Sequence, residues 1–94
     1  MPFPNQTPRP YTRENVEALS KGQMGCYGLF RTGVWIYVGK GDIRERMLAH
    51  VGGDNACINR EQPTHWVCVA TGDYDAMEKQ LIVELAPICN QRVG

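Results

Sequence analysis

Residues 25–51 constrain this chain more than any other stretch. They hold two runs rich in β-formers, 25–30 and 34–38, separated only by Arg31-Thr32-Gly33. A three-residue connection containing a glycine that can take positive φ joins antiparallel neighbours, so the runs predict a hairpin. The second run passes through Gly39-Lys40-Gly41 into Asp42-Ile43-Arg44-Glu45. Asp42 with Glu45 three residues later is a capping-box pattern, which starts a helix that Val51-Gly52-Gly53 would close. Gly39 to Gly41 reads as a turn that lets this helix begin close beside the strand before it.

The remaining elements follow from the same signals. Thr12 is placed to N-cap a short helix running to Ser20, with Val16 and Leu19 inward and Gly22 ending it. Residues 54–63 read as a loop, polar except for Ala56, Cys57 and Ile58. Residues 65–70 predict a third strand, and Thr71-Gly72-Asp73 turns the chain into a last helix. There Asp75 and Glu78 repeat the capping-box spacing, and Pro87 stops the helix after Leu85. The order helix, strand, strand, helix, strand, helix predicts an α/β (α+β) domain, a small antiparallel sheet covered by helices. Pro2, Pro4, Pro8 and Pro10 make residues 1–10 an extended arm or loose tail. The expected organisation is therefore an arm and short helix over 1–24 and a globular domain over 25–94.

Composition narrows the class. With 94 residues, 43% of them hydrophobic and 21% charged, the chain suits one small globular domain. No apolar run reaches the length of a membrane span, and the proline-rich start lacks the apolar centre of a signal peptide, so a cytoplasmic location is expected. Cys26, Cys57, Cys68 and Cys89 are unevenly spaced without a Cys-x-x-Cys, which predicts buried reduced thiols. Zinc is not expected: His65 and Cys68 would point to opposite faces of a strand. Ten basic residues balance ten acidic ones, so net charge advertises no polyanionic partner. The distribution is polar, though, with Arg31, Lys40, Arg44, Arg46 and Arg60 against Asp42, Glu45 and Asp54 over residues 25–60.

Two helical positions break the amphipathic pattern. At 100° per residue, Ile43, Met47, Leu48 and Val51 form one apolar arc, and Arg46 with His50 lies together on its flank. Either alone reads as a snorkelling cation or a half-buried imidazole; the pair is more informative. In the last helix Met77, Leu81, Ile82 and Leu85 define an arc that contains Glu78. Its competing reading is a capping-box partner that reaches back to the first turn. Tyr27 and Tyr37, taken singly, are ordinary strand aromatics.

Taken in order, Gly25-Cys26-Tyr27, Tyr37-Val38-Gly39, Arg46, His50, Glu78 and Asn90 resemble the GIY-YIG nuclease domain. The resemblance spans Gly25 to about Arg92, with Cys26 and Val38 in place of the two isoleucines. It implies a three-stranded antiparallel sheet flanked by helices and cleavage of DNA phosphodiesters with a single divalent cation, Mg2+ or Mn2+. It further implies that Glu78 ligates the metal and Arg46 holds the scissile phosphate. Tyr27 would help deprotonate the attacking water or act as nucleophile, Tyr37 and His50 would support proton transfer, and Asn90 would hold the site together. Lys40 and Arg44 join Arg46 as candidate substrate contacts.

An inward carboxylate can bind a hard cation through oxygen, and arginine stays charged while presenting several donors to a phosphate. The competing expectation is a module on the same fold that binds nucleic acid or protein without cutting, which zero net charge favours. A partner protein or self-association could also supply the grip on DNA.

Overall fold

In the computed structural model, which describes residues 3, 4 and 6–90, the hairpin forms from β2 (Met24–Arg31) and β3 (Val34–Asp42). Gly33 takes φ +73° at the tight connection, as the turn requires. Pairing runs from Arg31 opposite Val34 to Met24 opposite Asp42, with one irregularity where Leu29 faces Tyr37 and Phe30 faces Trp35. Ile36 is thus an extra residue on β3, a β-bulge. The predicted turn at Gly39 to Gly41 does not form. These residues continue the ladder with Tyr27, Cys26 and Gly25, and α2 (Ile43–Val51) starts directly at the strand's end. The Asp42 side chain accepts the Glu45 amide at 3.1 Å, so the predicted cap is present.

The sheet has four strands, in the order β1-β4-β2-β3, all paired antiparallel. β4 (His65–Ala70) is the predicted third strand; the fourth, β1, is the two-residue Arg9–Pro10 paired with Trp66 and His65. The arm is therefore not a loose tail. Phe3 is 4% exposed and stacks on Trp35, and the Trp66 indole donates to the Pro10 carbonyl. An outer strand can accept proline because its missing N–H would have faced outward. Pro2, at the start of the arm, and residues 91–94, at the end of the expected domain, lie outside the described residues.

Helices cover both faces. α1 (Arg13–Glu17), α2 and α3 (Ala56–Glu61) bury Val16, Ile43, Met47 and Ile58 against Tyr27, Leu29 and Trp66. On the opposite face α4 (Tyr74–Leu85) packs Leu81 with Cys26, Val38, Val67 and Phe3. Thr12 caps α1 through the Asn15 amide, but the helix ends at Glu17, short of Ser20. The stretch expected as a loop, 54–63, contains α3. Asn55 caps it by accepting the Ile58 amide, and Ile58, one of that stretch's three apolar residues, becomes 1% exposed.

Two expectations are corrected outright. Cys57 and Cys89 form a disulfide, with Cα atoms 5.6 Å apart, that ties α3 to the 3-10 turn Ile88–Asn90; Cys26 and Cys68 are free thiols. Uneven spacing conceals this pair because the fold brings together residues 32 positions apart. The capping box at Asp75 and Glu78 is also absent: Asp73 is the N-cap residue, with no side-chain cap bond, and Asp75 lies within the first turn.

Carboxamide side chains occupy both flanks of the sheet. The Asn90 side chain accepts the Val38 amide at 2.6 Å and donates to the Val38 carbonyl at 2.9 Å. On the other flank, beyond the reach of short β1, the Gln6 amide donates to the Cys68 carbonyl at 2.8 Å and accepts its N–H at 3.1 Å. Each side chain serves a strand residue as a partner strand would.

Candidate active site

Tyr27 points from β2 into the face covered by α1 to α3 and is fully buried. Its cross-strand partner is Gly39, where a Cβ would fall on the Tyr27 ring and hydroxyl. The glycine therefore makes room for the phenol. Gly39→Ala is expected to cost about 1–3 kcal/mol, as an overpacked core does, read as a lower urea midpoint. Because Tyr27 must move, the contact between its hydroxyl and His50 should be disturbed as well; an unchanged midpoint would show that the close approach is slack.

The Tyr27 hydroxyl lies 2.8 Å from His50 Nε2, and His50 Nδ1 lies 2.8 Å from Asp54 Oδ1. His50 is on the last turn of α2, its side chain 1% exposed, whereas that of Asp54 is 41% exposed. Tyr37, from β3, sets its ring edge-on to His50 at 5.1 Å and 6.3 Å from the Tyr27 ring. Arg46, one turn before His50, is exposed and acts electrostatically on both phenols. Tyr27, Tyr37, Arg46 and His50 are thus together, as their order in the sequence predicts.

Burial dominates the proton affinities. It pushes the Tyr27 phenol far above its usual range, and neighbouring Tyr37 adds to this, while Arg46 opposes it. Tyr37 is raised by the same burial, again against Arg46. His50 is lowered by desolvation, against the pull of Asp54, and is therefore neutral at pH 7. Arg46 is charged at any working pH, and its proton affinity is raised further, chiefly by Tyr27.

Glu78 comes from the other side, on α4. Its side chain is 19% exposed, and its nearest cationic partner is Lys40 Nζ at 3.8 Å, not Arg46. Lys40, near the end of β3, is held more closely by Asp75. Glu78 reaches the phenols electrostatically through Tyr37. Arg44 does not join the cluster: its guanidinium turns toward α1 and donates to the Glu17 carbonyl at 3.4 Å. Asn90 acts through the backbone, fixing Val38 between Tyr37 and Gly39.

Two participants escape the sequence reading. Asp75 appears there only as a cap, and Asp54 as loop. The signal for Asp54 was present, since Arg46, His50 and Asp54 continue one four-residue spacing beyond the helix end.

Among the described residues no three His, Cys, Asp or Glu side chains gather as a metal cage. A divalent ion held by Glu78 would keep most of its water, as a hard cation with few protein ligands does.

No protein-family model and no curated protein sequence matches the chain. Two solved structures do. Both are the GIY-YIG N-terminal endonuclease domain of UvrC from Thermotoga maritima, each a tyrosine-to-phenylalanine point mutant bound to its catalytic divalent cation. One superposes with a TM-score of 0.71 at 22% identity, covering 85% of this chain and 94% of the other. The second gives 0.65 at 20% identity over the same shares. This chain has the GIY-YIG endonuclease fold. At that identity the likeness is one of fold.

Proposed function

We propose that the chain is a divalent-metal-dependent endonuclease that hydrolyses DNA phosphodiester bonds. The observation that carries this reading is a buried tyrosine hydroxyl bonded to a neutral histidine, beside an exposed arginine, on the fold of a nuclease domain. Arg46 binds the scissile phosphate and meets the charge that builds on it during displacement. Tyr27 takes the proton of the attacking water as its own passes to His50, and Tyr37 walls the same hollow. Glu78 would be the protein ligand of a divalent cation, which would supply Lewis-acid stabilisation of the phosphoryl oxygens. Lys40, engaged by Asp75, contributes to substrate binding only after exchanging that carboxylate for a phosphate.

Nicking of supercoiled plasmid is the direct test. Relaxation of the plasmid is expected with Mg2+ or Mn2+ and none in EDTA. Absence of cutting with either metal, on duplex, branched and single-stranded DNA alike, sinks the proposal. Retained DNA binding in that case would favour a non-cutting module, the reading that zero net charge supports.

No described helix is long and apolar enough to cross a membrane. The cytoplasm is the proposed location, and the Cys57–Cys89 bond, of a kind rare in reducing compartments, counts against it.

A further inference from the structure

We propose that Asp54 is a positioning residue for cleavage, holding His50 in the tautomer whose Nε2 receives the proton of Tyr27. The inference rests on the endonuclease reading and deepens it.

The hydrogen bonds dictate the assignment. An ionised carboxylate only accepts, so the 2.8 Å contact with Asp54 puts the proton of neutral His50 on Nδ1. Nε2 is then bare, and the 2.8 Å contact on that side is Tyr27 O–H donating to it. Without Asp54 the reverse tautomer is equally available, with Nε2–H donating to the phenol oxygen and the proton path closed. Asp54 also answers the charge that His50 acquires: of the groups acting on the imidazole it alone favours the protonated ring, while burial and Arg46 disfavour it. Tyr27 and Tyr37 face the ring from the sheet. Beyond Asp54, Tyr11 carries a buried hydroxyl without a protein partner and feels the Asp54 charge. Tyr27, His50 and Asp54 span from a fully buried phenol to a half-exposed carboxylate at the surface.

In the step itself, a water O–H proton passes to the Tyr27 oxygen as the Tyr27 proton passes to Nε2. The water oxygen forms the new P–O bond with its lone pair. The ester P–O bond breaks with its electrons on the departing sugar oxygen, which takes a proton from solvent, and His50 later returns its proton to solvent. One water is consumed, and a phosphomonoester and an alcohol are produced. This is the division of labour in which an acid orients an imidazole without itself being protonated.

Asp54→Ala is expected to lower kcat by about 100-fold or more with KM unchanged. Asp54→Asn, which keeps an acceptor but not the charge, should lower the proton affinity of His50 further. The acid limb of its rate profile, where His50 must lose a proton, moves to lower pH. Imidazole-nitrogen NMR of the chain labelled at its two histidines reads the tautomer without any activity. Nδ1–H is expected for His50 in the parent chain and is lost in Asp54→Ala. An unchanged thermal midpoint shows that the variant is folded, as partial exposure of Asp54 leads one to expect. An Nε2–H tautomer in the parent, or full kcat in Asp54→Ala, overturns the inference. A parent chain that cuts no DNA yet shows the Asp54-dependent tautomer overturns the endonuclease reading and upholds the hold of Asp54 on His50.

Discussion

Glu78→Ala is expected to abolish metal-supported nicking, by about three orders of magnitude or about 4 kcal/mol of transition-state stabilisation, while leaving the fold as stable as before. The two halves of the expectation come from the same geometry. The carboxylate sits on the inward arc of α4, 19% exposed, with a cation no nearer than 3.8 Å, and that cation is already engaged by Asp75. Its capping role is absent, because the N-cap of α4 is Asp73, two residues before Asp75. A partly desolvated charge with weak pairing contributes little to folding. Its value lies in the ion it can hold, whereas Asp75, the other carboxylate beside Lys40, is the one bound closely to that ammonium. Nicking and a thermal melt on the same preparation check both halves. Full activity without the carboxylate would remove Glu78 from the chemistry, and joint loss of activity and fold would make it structural.

The second large effect is expected from reduction of Cys57–Cys89. Closing a loop of 32 positions restricts the unfolded chain enough to stabilise the native state by about 3–4 kcal/mol. For a domain of this size each kcal/mol moves the melting midpoint by about 4–8 °C, so reductant should lower it by more than ten degrees. The damage is also local. Cys89 immediately precedes Asn90, so breaking the bond loosens the residue that fixes Val38 between Tyr37 and Gly39. The paired Cys57→Ser, Cys89→Ser variant should reproduce the loss without reductant. A midpoint indifferent to both treatments would show that the bond restrains nothing that folding needs.

What the sequence discloses here depends on how local each signal is. The hairpin, the Asp42 cap and the pairing of Arg46 with His50 are all set by residues within a few positions of one another, and all are present. Periodicity also places Glu78 inward, although its partner is Lys40 from β3 and not Arg46. The failures are tertiary. Prolines mark residues 1–10 as unable to donate regularly, yet Phe3, Gln6 and Pro10 find their places only against Trp35, Cys68 and Trp66. Cys57 gives no local hint of Cys89. The glycines at 39 and 41 look like a turn, but the constraint on Gly39 is a ring on the neighbouring strand, which a reading along one chain segment does not contain, and that on Gly41 is its φ of +115°. α3 is hidden for a related reason: six residues, half of them polar, become a helix by burying one isoleucine.

The paired carboxamides at Val38 and Cys68 have a consequence for behaviour in a crowded solution. A bare sheet margin invites a strand from another molecule to add itself, the first event in edge-to-edge aggregation. Asn90 and Gln6 deny that template at the two positions they occupy, each with one side chain and no added strand, so the domain can keep a small sheet without recruiting copies of itself.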